Sequence, residues 1–274
     1  MSPTSKIIIF DTTLRDGELT PGVKMNLQQK MSIAQVLEAM QVDVIEVGYP
    51  GRYQKDFAEV FEISKFIKNS TICVLASANK QEIEFAAAAI KLAKKPRIHT
   101  YASVNVRRNS QVERETLELI TDSIAIARHY CDDVEWSAFD ATRSEPNFLC
   151  KAIETAISSG ATTINIPDSL GLASTADFSQ LLQLIFNCVP NIDSAIASVH
   201  CHNDLGIAVK NSLAALGCGV RQIECAINGL GARKGNANLE TVVDEIEKIP
   251  FYNITIDKSL FPIASALVAK AIKI

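Results

Sequence analysis

The sequence predicts an α/β protein built as a closed (β/α)8 TIM barrel with a short C-terminal helical extension. Three observations carry that reading. Short β-branched runs alternate strictly with amphipathic helical stretches, one pair after another, through residues 1–250. The pairs recur about every 30 residues, the length of a strand–helix unit. The carboxyl ends of the runs collect charged and polar residues, which is where a barrel carries its chemistry. Strict alternation implies parallel strands with right-handed crossovers, and eight such units in about 250 residues suffice to close a barrel. An open doubly wound sheet would show a glycine-rich phosphate loop after its first strand. That position here reads Asp11-Thr-Thr-Leu-Arg-Asp-Gly17 instead.

Each element has its own local reason. The first strand is Lys6–Phe10, and Asn26 caps a helix through Met40 with Leu27, Met31, Ala34 and Leu37 at helical spacing. Val42–Val47 is the second strand, closed by Gly48-Tyr-Pro-Gly51, and a helix follows over Asp56–Asn69. Thr71–Ala76 and Lys80–Lys94 form the third pair, Arg97–Ala102 and Gln111–Tyr130 the fourth, Asp133–Ser137 and Glu145–Ser159 the fifth. Thr162–Ile166 and Thr175–Cys188 make the sixth. The seventh strand starts at Ala195 and ends in His200-Cys-His202, with its helix over Gly206–Leu216. Gln222–Ile227 and Leu239–Lys248 complete the set. Residues 251–274 read as one turn and an apolar helix (Ile263, Leu267, Val268, Ile272), the start of a helical linker or dimerisation segment.

Composition narrows the class. Hydrophobic residues make up 47% and charged residues 21%, ordinary for a globular chain. A formal net charge of −4 gives no basic footprint, so nucleic acid is not an expected partner. The seven cysteines form no C-x-x-C pair and are odd in number, which predicts reduced thiols and a cytoplasmic location. No signal-peptide pattern opens the chain, and no apolar run is long enough to span a membrane.

The seventh strand carries the sharpest chemical signal. Side chains alternate along a strand, so His200 and His202 point the same way while Cys201 points opposite. Two converging imidazoles at a strand end form half of a metal site, although a pair of hydrogen-bonded loop histidines would look the same. The other strand ends supply Arg15 and Asp16, Glu46, His99, Glu135, Asn165 with Asp168, and the loop Asn228–Asn238. Asp16, both histidines and a side-chain carbonyl from that loop would make a mixed N/O site for a divalent ion such as Mn, Mg or Zn. Gly235 would let the loop turn tightly enough for Asn236 to reach it. Arg15, beside the aspartate, could hold charge developing on a polarised carbonyl. Metal, arginine and carboxylates together suit enolate or alkoxide chemistry on an oxo acid.

The chain resembles the α-isopropylmalate synthase and homocitrate synthase family of metal-dependent, acetyl-CoA-condensing barrel enzymes. The matching stretches are Phe10–Glu18, Glu46-Val-Gly48, Arg97-Ile-His-Thr100, Asp133-Val-Glu135, Asn165-Ile-Pro-Asp168, His200–Gly206, Asn228–Gly231 and Gly235-Asn236. They run through nearly the whole chain, and the isopropylmalate synthases look nearest. The resemblance implies that Asp16, His200, His202 and Asn236 bind the metal and that Arg15 polarises the keto group. It also implies a catalytic carboxylate at Glu135 and a 2-oxo-acid pocket with His99 and Ser169. The implied reaction joins acetyl-CoA to a 2-oxo acid, with 2-oxoisovalerate giving 2-isopropylmalate in leucine biosynthesis. A homodimer and small-molecule partners only are implied as well.

Several positions depart from the family pattern. Leu19 replaces a glutamine, Ala232 replaces a glutamate in G-x-G-E-R, and Ser137-Ala-Phe-Asp140 is less acidic than usual. The resemblance further implies linker subdomains beyond the barrel that lend a histidine and a tyrosine to a neighbouring subunit, and a leucine-binding regulatory domain. Residues 1–274 would then hold the metal and keto-acid site but not the whole apparatus of turnover. The competing readings are a hydroxymethylglutaryl-CoA lyase-like enzyme, a homocitrate or citramalate synthase, and a non-enzymatic partner subunit. Against the lyase, the loop Gly229–Gly235 lacks the cysteine-bearing signature that such enzymes show there.

Overall fold

The computed structural model describes residues 5–106 and 109–272. Eight parallel strands close on themselves: β1 (Ile8–Asp11), β2 (Val44–Glu46), β3 (Thr71–Ser77), β4 (Pro96–Ser103), β5 (Val134–Phe139), β6 (Thr163–Asp168), β7 (Ile196–Cys201) and β8 (Gln222–Cys225). The ring is sealed by β1 against β8, with Ile8 opposite Gln222 and Asp11 opposite Cys225. Helices follow the strands in turn: α1 (Leu27–Ala39), α2 (Gln54–Phe66), α3 (Lys80–Ile90), α4 (Ser110–Tyr130), α5 (Pro146–Ser158), α6 (Thr175–Cys188), α7 (Ala208–Gly217) and α8 (Leu239–Ile246). The predicted fold class is the observed one. Ile33, Leu37, Ile63, Ile83, Ile124, Ile153, Leu182 and Val243 are buried between helices and barrel. At about 25 cal/mol per Å2 of apolar surface, that shell is the main force holding the ring closed.

The caps explain the helix starts. Asn26 accepts from the Gln29 amide while Gln29 reaches back to the Asn26 amide, a reciprocal capping box. Asn79, Asn109, Ser174 and Asn238 cap α3, α4, α6 and α8 in the same sense.

Some ends differ from the sequence reading, each for a local reason. Residues 5–6 leave the barrel and pair with Tyr252–Asn253, so the first barrel strand starts at Ile8. Helix α2 stops at Phe66 because the Glu38 carboxylate takes the amides of Lys68 and Asn69. Helix α7 starts at Ala208 rather than Gly206, because Gly206 has φ +72° in a turn and Asn203 caps Ala208 instead. The opening residues 1–4 and the final two of the 251–274 segment lie outside the described residues.

The apolar C-terminal stretch forms a short turn and α9 (Phe261–Ala269), which docks against α1 and the loop after β8. Ala264 and Val268 are buried by that packing, whereas Ile263 stays exposed. No helix among the described residues is long and apolar enough to cross a membrane.

Candidate active site at the carboxyl rim of the barrel

Inward-facing residues of the strands pass from buried ion pairs below to cavity lining above. In β4 the series is Arg97, His99, Tyr101; in β5 it is Glu135, Ser137, Phe139; in β8 it is Gln222, Glu224. The lower residues pair with one another. Arg97 bonds Glu135 at 2.9 Å and Gln222 at 2.8 Å, and Gln222 donates to Glu135 at 2.8 Å and to Ser198 at 2.9 Å. The upper residues line a cavity of about 910 Å3 that opens at the carboxyl rim.

On one side of that cavity Asp16, His200 and His202 bring ligand atoms within 4.8 Å of one another. Asp16 follows β1, the histidines end β7, and Asn236 comes from the loop after β8. That loop is zipped to the β7 end, since the Asn203 amide donates to Gly235 O at 2.9 Å and His202 bridges Asn236. Gly235 has φ +93°, and a Cβ there would overlap the Gly229 carbonyl, so glycine is required for the turn. Arg233 clamps the same loop by two bonds of 3.0 Å to the Asp204 carboxylate.

The hydrogen bonds around these four residues leave lone pairs for a cation. Glu224 accepts from His200 Nδ1 at 2.6 Å, which fixes a proton on Nδ1 and turns Nε2 toward Asn236 and Asp16. Asn236 Oδ1 lies 3.1 Å from that Nε2, and Asn236 Nδ2 donates to Asp16 at 2.8 Å. His202 Nδ1 is buried with no hydrogen-bond partner. Burial opposes charge on Asp16, but Arg15 first and His200 after it outweigh burial and hold the carboxyl well below its usual range. Burial and the neighbouring His200 push His202 down to about 3, so its ring is neutral and able to coordinate. A neutral imidazole with an orphaned nitrogen, an ionised carboxylate and an amide oxygen fit a divalent ion.

The other predicted residues fall in two places. Arg15 lines the cavity, with Nε 2.6 Å from Glu46 and Nη1 2.9 Å from Asp16. His99 and Ser169 also line it, and the Ser169 hydroxyl accepts from the Asp140 amide. Glu135 does not: it lies under the cavity floor, tied to Arg97 and Gln222. Burial raises its carboxyl to about 7 against the opposing effect of His99 and Arg97. Asp168 is likewise structural here, stapling the loop amides of Leu172 and Ala173. The strand reading passed over Glu224, although a glutamate inside the apolar run Gln222–Ile227 was its signal. Nothing in the strand pattern marks the aromatic wall of the cavity, where Tyr49, Tyr101 and Phe139 pack with ring centroids 6.0–6.5 Å apart.

Fold and rim together define a TIM barrel whose Asp16, His200 and His202 could hold a divalent cation beside Arg15. The chain belongs to the HMGL-like family, whose model matches residues 6–268. It is 48% identical to a 2-isopropylmalate synthase of Rhodopseudomonas palustris strain TIE-1 and 47% identical to one of Bradyrhizobium sp. strain BTAi1. In both cases the match covers 98% of this chain and 53% of the relative, so the chain spans about half the length of these curated relatives. Among solved structures, an HMG-CoA lyase from Brucella melitensis superposes with a TM-score of 0.81 at 18% identity, covering 98% of this chain and 99% of that one. The carboxyl transferase domain of Rhizobium etli pyruvate carboxylase gives 0.77 at 16% identity, covering 98% and 48%. At such identities the likeness is one of fold alone.

Proposed function

We propose that this chain carries the 2-oxo-acid site of an acetyl-CoA-condensing acyltransferase, forming 2-isopropylmalate from 2-oxoisovalerate in leucine biosynthesis. The observation that carries the reading is the convergence of Asp16, His200 and His202 with Arg15 on one wall of the cavity, in a chain whose curated relatives are 2-isopropylmalate synthases.

Asp16, His200, His202 and Asn236 would hold the divalent ion, of the Mn, Mg or Zn kind. When bound, that ion supplies Lewis-acid polarisation of a carboxylate and keto oxygen. Arg15 is fixed by Glu46 and Asp16, so its guanidinium is already oriented toward charge that develops on the keto oxygen. Ser169 and His99 line the space beside it, while Leu75, Tyr101 and Pro167 offer an apolar wall for a branched side chain. About 910 Å3 exceeds what a five-carbon acid fills, and the remaining volume would admit the acyl end of the acetyl-CoA co-substrate. Glu135 lies below, with a carboxyl oxygen within 4.8 Å of a His99 ring nitrogen.

Residues 251–274 are proposed as the start of a helical linker, with a homodimer forming across it. The free state of all seven cysteines accords with a cytoplasmic protein. The test is release of CoA thiol from acetyl-CoA, dependent on both Mn2+ and an oxo acid, with 2-oxoisovalerate compared against pyruvate and 2-oxoglutarate. Faster release with 2-oxoisovalerate supports the reading. Release that ignores the oxo acid contradicts it.

A further inference from the structure

The cavity floor holds a second constellation, separate from Asp16, His200 and His202. Ser137 Oγ lies 2.7 Å from His99 Nε2, and His99 Nδ1 lies 3.1 Å from Glu46 Oε1. The other oxygen of Glu46 is 2.6 Å from Arg15 Nε, and Asn165 Nδ2 donates to Ser137 Oγ at 2.9 Å. Ser137, His99 and Asn165 all face the cavity.

We propose that Ser137, backed by His99 and Glu46, moves the proton in the condensation step. The proposal rests on the condensation reading and names its acid–base group. Glu46 is kept ionised: burial opposes this, but Arg15 and His99 outweigh it. An ionised Glu46 can only accept, so the His99 proton is fixed on Nδ1 and Nε2 is left to exchange with Ser137. When His99 is neutral, Ser137 donates to Nε2 and a hydroxyl lone pair is available to the cavity. When His99 is charged, Ser137 accepts from both Nε2 and Asn165, and its own proton turns to the cavity. One hydroxyl thus serves as base and then as acid.

Of the other carboxylates on the cavity wall, Asp16 is held by Arg15 and Asn236 and Glu18 by Lys30 and Lys55. Asp56 and Glu224 each engage one oxygen, with the Tyr49 amide and with His200, and keep the other buried without a hydrogen-bond partner. Phe139, next above Ser137 on the inner face of β5, has no proton to give.

The transfer balances. A proton leaving the acetyl-CoA methyl carbon passes to Ser137 Oγ as the hydroxyl proton passes to His99 Nε2, leaving an enolate and an imidazolium. After the carbon–carbon bond forms, Ser137 protonates the oxygen of the former keto group and the Nε2 proton returns to Ser137. Thioester hydrolysis comes later and does not use the relay.

The test uses the Mn2+-loaded chain. Exchange of acetyl-CoA methyl hydrogens is followed in D2O with the non-condensing acid 2-hydroxyisovalerate, beside turnover with 2-oxoisovalerate. Wild type should exchange. Ser137→Ala should lose about 100-fold or more in exchange and kcat, with Kd for the oxo acid within about threefold of wild type. His99→Gln should lose as much, the double variant no more than the worse single, and Ser137→Thr should recover most of the rate. Undiminished turnover in Ser137→Ala would overturn the relay while leaving the condensation reading standing, as would additive losses or a loss confined to KM. Wild type that binds oxo acid yet shows no exchange would overturn the relay, and wild type that binds no oxo acid would overturn both.

Discussion

Glu224 illustrates how one side chain sets the chemistry of another. Its carboxylate accepts from His200 Nδ1 at 2.6 Å and so turns Nε2 toward the proposed cation site. Glu224→Ala should therefore weaken Mn2+ binding about 10- to 100-fold with the circular dichroism unchanged, a comparison calorimetry makes directly. Gly231 acts sterically: a Cβ there would sit 2.6 Å from the Asn236 side chain, so if Asn236 is a ligand as proposed, Gly231→Ala should also weaken Mn2+ by displacing it. Glu135 acts through protons. Its folded pKa of about 7 exceeds the usual 4.5, so the folded state binds more protons across that window. Stability from this group is greatest below pH 4.5 and falls as pH rises toward 7. Glu135→Gln should flatten the Tm–pH curve between pH 4.5 and 7; an unchanged slope would show that Glu135 is ionised throughout. These roles were only partly legible in the sequence. Asp16, His200 and His202 announce themselves by residue type at strand ends. Glu224 and Ser137 gain meaning only from partners 24 and 38 positions away, brought near by closure of the ring.

Between elements, the rim loop after β1 is held by a buried lysine. Lys30 of α1 lies 2.8 Å from Glu18 in the rim loop and 2.8 Å from Glu59 of α2, and its side chain is fully buried. Removing the cation while leaving both carboxylates would strand buried charge. Lys30→Met should cost about 3 kcal/mol or more in urea unfolding, and loosening of the Glu18 loop should raise KM. Little or no loss would mean that the carboxylates take protons instead. The alternation of strands and helices was legible because β-branched runs and caps such as Asn26, Asn79 and Ser174 mark it locally. The short ladder joining residues 5–6 to Tyr252–Asn253 was not, because nothing near either segment foretells its partner.

Across the whole molecule, three elements distant in sequence meet at one rim, and a cation that bridges them should stabilise the folded chain. Mn2+ at about 100 times its Kd should add about 2.7 kcal/mol, seen as a raised Tm that is absent in His202→Ala. The barrel closure that makes this possible was legible from eight repeated units, whereas the docking of α9 on α1 was one of several options for an unpaired apolar helix. The most direct test of the account is calorimetric titration of 2-oxoisovalerate into the chain with and without Mn2+, beside His202→Ala. The account predicts binding that requires Mn2+ and is lost in the variant. Binding indifferent to Mn2+, or none under any condition, would contradict it.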